Sequence, residues 1–263
     1  MRSSRMFWGV VITLIGIVLL VQQFTGLSLW AYVWPAFLIL LGLWFLFRPA
    51  ISRRFAGEIQ MVNIPLEGSS QADVEVRHGA GRLTIQSTSI PGALLDGSFG
   101  GGVNHEVSRV GDSVRLKLDA KDVLMAPTPF MGYEGLEWNF GLSPEIPLQL
   151  RLYTGASESR LDLERLKVSY LRIETGASST TATLPAQAGS TQVEVKSGAA
   201  SVNLRVPNGV AARIRVESGL SGSHIDTNRF PNMGGFYESP DYATAANKMD
   251  ISMETGVGSV DVR

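Results

Sequence analysis

Apolar and polar residues alternate along the second half of the chain, as with Leu150 and Leu152 and again with Leu161 and Leu163. A period of two turns one face of an extended segment toward a core and the other toward water, so these stretches predict strands. The alternation returns in near copies: "LRLYTGASESRLDL" from Leu150, "LRIETGASSTTATL" from Leu171, "VEVKSGAASVNLRV" from Val193, "IRVESGLSGSHI" from Ile214 and "ISMETGVGSVDV" from Ile251. A looser copy, "VEVRHGAGRLTI", begins at Val74. Each carries a register glycine: Gly79 in the looser copy, then Gly155, Gly176, Gly198, Gly219 and Gly256, with steps of 21, 22, 21 and 37 between the last five. A fixed period in the twenties is the mark of stacked repeats, each too small to bury its own apolar face. Returns such as "VPNGVA" at 206–211 are too short to hold helices. The expected fold class is therefore all-β, a parallel β-solenoid-like stack of about 21-residue repeats with matching residues about 4.8 Å apart.

The glycine falls where two extended segments meet, and a positive-φ corner is expected there. The residue before it is Thr154, Thr175, Ser197, Ser218 or Thr255, with His78 in the looser copy. Such a hydroxyl ladder is expected to satisfy backbone groups at the corner, and a ligand-binding stripe is the alternative. The residue after it is Ala156, Ala177, Ala199, Leu220 or Val257 and is expected to face inward. Two before it, Glu174, Lys196 and Glu217 alternate in sign and are expected to pair as neighbours on an exposed face.

A second hydrophobic pattern fills the beginning of the chain. "MFWGVVITLIGIVLLVQQF" (6–24) and "LWAYVWPAFLILLGLWFLF" (29–47) are uncharged over 19 residues each. That is about 28 Å of helix, close to a bilayer's hydrocarbon core. The four-residue link "TGLS" makes the pair a transmembrane helical hairpin, so the expected domains are 1–57 for the hairpin and 58–263 for the β-repeats. Arg2 and Arg5 precede the first span, Arg48, Arg53 and Arg54 follow the second, and the link carries no charge. The positive-inside rule then puts both ends in the cytoplasm, with an extracytoplasmic β domain as the alternative.

Charge narrows the function classes. Residues 1–57 hold five basic and no acidic residues, leaving 18 basic and 24 acidic residues to the remainder. An acidic body excludes nucleic acid as the expected partner. Absence of cysteine excludes disulfides, thiolate catalysis and cysteine-ligated metals. The chain has no Gly-x-Ser-x-Gly, P-loop or His-Glu-x-x-His. His224 with Asp226 gives two potential ligands, too few for a zinc centre, and Asp162 with Glu164 has no matching carboxylates in the next copy. No catalytic, cofactor or metal residue is assigned. Gly100 to Gly102 lack the Lys-Ser/Thr of a phosphate cradle, and Trp138 in "LEWNFGL" is expected to cover an open end of the stack.

The stretch "FWGVVITLIGIVLLVQQFTGLSLWAYVWPAFLILLGL" resembles the two-helix membrane region of LiaI/LiaF-type bacterial proteins. From "WNFGLSPEIPLQLRLYTGASESRLDLERLKVSYLRIETGASSTTATLP" onward the chain is similar to the bacterial toast-rack domain, which occurs with LiaF-like and adhesin-like modules. "TGAS" departs from the more usual Gly-small-Gly corner. The resemblance implies a non-enzymatic role in envelope stress, with the lipid bilayer and a membrane histidine kinase as partners. A structural scaffold or surface adhesin is the alternative, and a glycan-active β-helix enzyme a third. The excess of the last repeat step falls in "TNRFPNMGGFYESPDYATAANK" (227–248), a possible partner loop carrying Phe230, Phe236, Tyr237 and Tyr242, or a cap on the last coil.

Overall fold

The computed structural model describes residues 59–121 and 136–263. They form β1 (Gln60–Pro65), β2 (Gln71–Ser87), β3 (Ala93–Phe99), β4 (Val103–Val110), β5 (Ser113–Ala120), β6 (Glu137–Leu142), β7 (Pro147–Asp162), β8 (Lys167–Thr183), β9 (Ser190–Arg205), β10 (Ala211–Ile225), β11 (Tyr237–Glu238) and β12 (Lys248–Val262). Six of these are the sequence repeats, and each runs as one long strand of 15 to 17 residues.

The repeat strands lie parallel in the order β2, β7, β8, β9, β12, β10. Their register matches the sequence alignment: Thr154 faces Thr175, Thr175 faces Ser197, Ser197 faces Thr255 and Thr255 faces Ser218. In β9 burial alternates up to Ser197, then Gly198 and Ala199 are both exposed, and alternation resumes with Ala200 buried. Two successive outward residues shift the phase, so Val193 and Val195 before the glycine and Val202 and Leu204 after it all reach the core. The strand bends there. Ala156, Ala177 and Ala199 consequently face outward, as does Val257 at 54% exposure, which corrects the expectation that this position points inward.

At β2 the sheet forks. Gln71–Arg77 pairs with β5 while Arg82–Ser87 pairs with β6, so the two halves of the bent strand acquire different neighbours. β4 and β5 pair antiparallel about the turn at Gly111 and Asp112, and β3 joins β6 to β1, again antiparallel. Trp138 is buried at this end beside Phe99, ring centroids 5.1 Å apart and edge-on, with Phe140 stacked on Phe99 at 5.5 Å.

The fold class is thus all-β with a mixed sheet, which corrects the parallel solenoid-like stack. Two physical reasons account for it. Turns at Gly92 and Gly111, both at positive φ, reverse the chain after β2 and between β4 and β5, so that β3 and β4 run antiparallel to the strands they pair with. The connection after β10 is long enough for β12 to enter between β9 and β10, so spatial order departs from sequence order. The transmembrane hairpin expected over 6–24 and 29–47 lies outside the described residues. No helix among the described residues is long and apolar enough to cross a membrane, and the hairpin is not part of the fold class.

Candidate functional site

The register glycines form one continuous row across the six repeat strands. None of Gly79, Gly155, Gly176, Gly198, Gly219 and Gly256 has positive φ, which corrects the corner argument. Close approach between neighbouring backbones demands them instead. A Cβ at Gly155 would lie 2.3 Å from the Gly79 carbonyl oxygen, at Gly256 2.7 Å from that of Gly198, and at Gly219 2.9 Å from that of Gly256. At Gly176 and Gly198 the same contacts are 3.1 and 3.2 Å. The Cα hydrogens therefore point at the adjacent strand's carbonyl oxygens, a recurring weak contact between strands.

Beneath the row lies the hydroxyl ladder. Thr154, Thr175, Ser197 and Thr255 are buried, while Ser218, on the outermost repeat strand, is exposed. The ladder bonds to itself: Thr154 Oγ1 donates to Thr175 Oγ1 at 2.9 Å and Ser197 Oγ donates to Thr255 Oγ1 at 3.2 Å. Thr175 in turn donates to Ser178 Oγ. These bonds satisfy hydroxyls mutually across strands, where the sequence pattern pointed to backbone groups.

His78 occupies the opposite end of the ladder at 2% exposure, 4.9 Å from the Trp138 ring centroid. Neither ring nitrogen has a hydrogen-bond partner among the described residues. Burial alone pushes its pKa down to about 4, because the charged form loses its hydration.

Along the glycine row runs an open groove of about 1360 Å³, floored by backbone and walled by Tyr153, Glu174, Lys196 and Glu254. Six strands at about 4.8 Å spacing make it roughly 24 Å long. Arg77 lies over the Tyr153 ring at 5.5 Å, and Lys196 Nζ meets Glu254 at 2.8 Å. The Glu174, Lys196, Glu217 alternation does not close on itself, since β12 separates Lys196 from Glu217 and supplies Glu254 instead. Arg172 pairs with Glu174 and, at 3.2 Å, with Glu194.

The expected partner loop is largely folded in. Phe230 and Tyr242 are buried, and Phe236 and Tyr237 are half-buried, with Tyr237 in β11 against β10. Phe230 and Tyr242 are therefore unavailable to a partner. The Tyr242 hydroxyl donates to Asp250 at 2.6 Å and, desolvated, has its pKa pushed up to about 12. Tyr242→Phe should cost about 1.5 kcal/mol in urea unfolding, the usual value for a hydrogen bond to a charged acceptor.

Among the described residues no group of three or more His, Cys, Asp or Glu is placed to hold a metal. His224 is exposed, and Asp226 accepts from the Asn228 amide in a turn. Asp162 likewise accepts from the Glu164 amide at 3.3 Å, so this carboxylate closes a turn.

The chain belongs to the family described as the N-terminal domain of toast_rack, DUF2154, matched over residues 56–205, more than half of its length. Among solved structures, a candidate cell adhesion protein of Clostridium sporogenes is similar in fold, with a TM-score of 0.71 at 18% identity, over 78% of this chain and 98% of that one. A candidate adhesin of Bacteroides fragilis matches over 78% of this chain and 97% of that one at 7% identity with a TM-score of 0.31, too low to bear on the fold. No curated protein matches the chain.

Proposed function

We propose that the domain is a non-enzymatic interaction module whose groove receives an extended segment of a macromolecular partner. The observation that carries this reading is the groove itself: it is open, crosses all six repeat strands, and has a floor of glycines with no side chains to exclude a backbone. An enclosed apolar cavity would suit a small molecule; a long shallow trough with charged walls suits a polymer. The resemblance to LiaF-type proteins supports a finer reading, regulation of a bacterial envelope stress response through a membrane histidine kinase. The name borne by the Clostridium sporogenes structure supports the alternative, an adhesin.

Both readings meet the same test. A photo-crosslinking amino acid is placed at Lys196, in the groove wall, and at Ser89, exposed and away from it. Capture of a membrane kinase from Lys196 and not from Ser89 is the expected result in the native bacterium. Crosslinks only to a second copy would make the domain a scaffold, and crosslinks to an extracellular component would make it an adhesin. Equal, unselective crosslinking from both positions would end the groove assignment.

A further inference from the structure

The outermost repeat strand, β10, has an uncovered edge. β11 pairs only with Arg213 and Ile214, so from Arg215 to Ile225 no strand lies on the outer side of β10 among the described residues. Natural edge strands are ordinarily short, interrupted by proline or a bulge, or charged, because an open ladder recruits other chains. The other two edges follow that practice. β1 has six residues and ends with an irregularity at Pro65, and β4 carries His105, Glu106 and Arg109. β10 is 15 residues long, and its charges, Arg213, Arg215 and Glu217, all lie before the bend, for "SGLSGSHI" (218–225) holds no Lys, Arg, Asp, Glu or Pro.

The same edge is chemically incomplete. In the row two residues before the glycines, Lys196 is followed by Glu254 and then by Glu217, two like charges side by side. In the row four before, Arg172 meets Glu194, but Ser252 follows and Arg215 comes last. Arg215 and Glu217 make no ion pair among the described residues, although Arg213, Arg172 and Lys196 on the same face all do. Ser218 is exposed where the other ladder hydroxyls are buried. The missing neighbour would place an acid beside Arg215, a base beside Glu217, a hydroxyl beside Ser218 and a glycine beside Gly219. That pattern is present in the chain at Glu194, Lys196, Ser197 and Gly198 of β9, which β12 keeps apart from β10.

We infer that the outer edge of β10 is a docking site for an extended strand of another protein, taken up in parallel and reading acid-x-base-hydroxyl-glycine. Main-chain bonds to the open ladder supply binding, and the two charge positions and the close glycine approach supply register and selectivity. This rests on the interaction-module reading and names the chemistry of one partner.

The probe is a fluorescent peptide of residues 190–205, STQVEVKSGAASVNLR, titrated into the full-length chain by anisotropy. Saturable one-to-one binding is expected. A peptide with Lys at the Glu194 position and Glu at the Lys196 position should bind about tenfold more weakly, two cross-strand pairs having been reversed. The Arg215→Glu/Glu217→Arg double variant should restore it. Thermal unfolding confirms that the double variant is folded, and Glu217→Arg alone serves where it is not. Amide exchange should slow in Arg215–Ile225 and stay unchanged in Lys248–Val262. Absence of saturable binding, or indifference to charge reversal, overturns the proposal. Faster exchange in β12 does so too, since the peptide would then be replacing β12 and not adding to the edge. The groove reading stands or falls separately, because crosslinking from Lys196 does not require this edge.

Discussion

Gly258→Ala is expected to destabilise the domain by about 3 kcal/mol or more, while Gly222→Ala stays within about 0.5 kcal/mol. Two independent penalties meet at Gly258. Its φ of +141° is a conformation that residues with a Cβ rarely adopt, and an added Cβ would sit 1.9 Å from the Ala200 carbonyl oxygen of β9. Neither β12 nor β9 can give way alone, because Val257 and Gly258 are held opposite Ala199 and Ala200 in an otherwise continuous parallel ladder. At Gly222, in β10, nothing lies within 4 Å of the added atom. Along the glycine row the cost should follow distance: greater for Gly155→Ala at 2.3 Å, and about 1 kcal/mol for Gly176→Ala at 3.1 Å, where a shift of a few tenths of an ångström suffices. Urea unfolding followed by circular dichroism gives the series. Equal costs at Gly155 and Gly222 would remove close approach as the reason for glycine in this row.

That series also marks how far the sequence could be read. The strands, their register and the bend at each glycine follow from alternation and period, because a one-residue slip would turn the whole apolar face outward. Position by position, the hydroxyl ladder was visible as five aligned Thr and Ser residues. Its bonding was not, since hydroxyls satisfy one another only after stacking fixes their separation. The glycines were legible as necessary, but the reason came from neighbours across the sheet and not from local φ. Inward pointing of Ala156 and Ala177 failed because alternation slips by one at the bend, and small residues suit either side. Strand order was beyond reach. The 37-residue step into β12 says that a long connection exists, but only packing decides that the strand returns between β9 and β10. The uneven pairing of Glu217 with Glu254 is a trace of that insertion, and it became meaningful only with the order known. Composition likewise could not tell that Phe230 and Tyr242 fold into the core while Phe236 packs over Arg213 and Arg215.

Acidification between pH 6.5 and 5 should weaken the domain through His78, before most carboxylates begin to protonate. The ring is buried against Trp138 with both nitrogens unpartnered among the described residues, so a charge there would be held without water or a hydrogen bond. Its folded pKa of about 4 lies below the ordinary value of 6.5. The unfolded chain therefore takes up a proton first, and protonation favours unfolding. Stability is full above pH 6.5, falls as pH drops toward 4, and loses nothing further from this group below that. The shift corresponds to roughly 3 kcal/mol across the window, at 1.36 kcal/mol per unit. His78→Leu removes the titrating ring and keeps an apolar side chain against Trp138. Its unfolding free energy at pH 7 is expected to change little beside its pH dependence, which should flatten between pH 6.5 and 5. A variant whose stability still falls with the slope of the native chain would show that His78 gains a proton acceptor in the fold and that the acid sensitivity arises elsewhere.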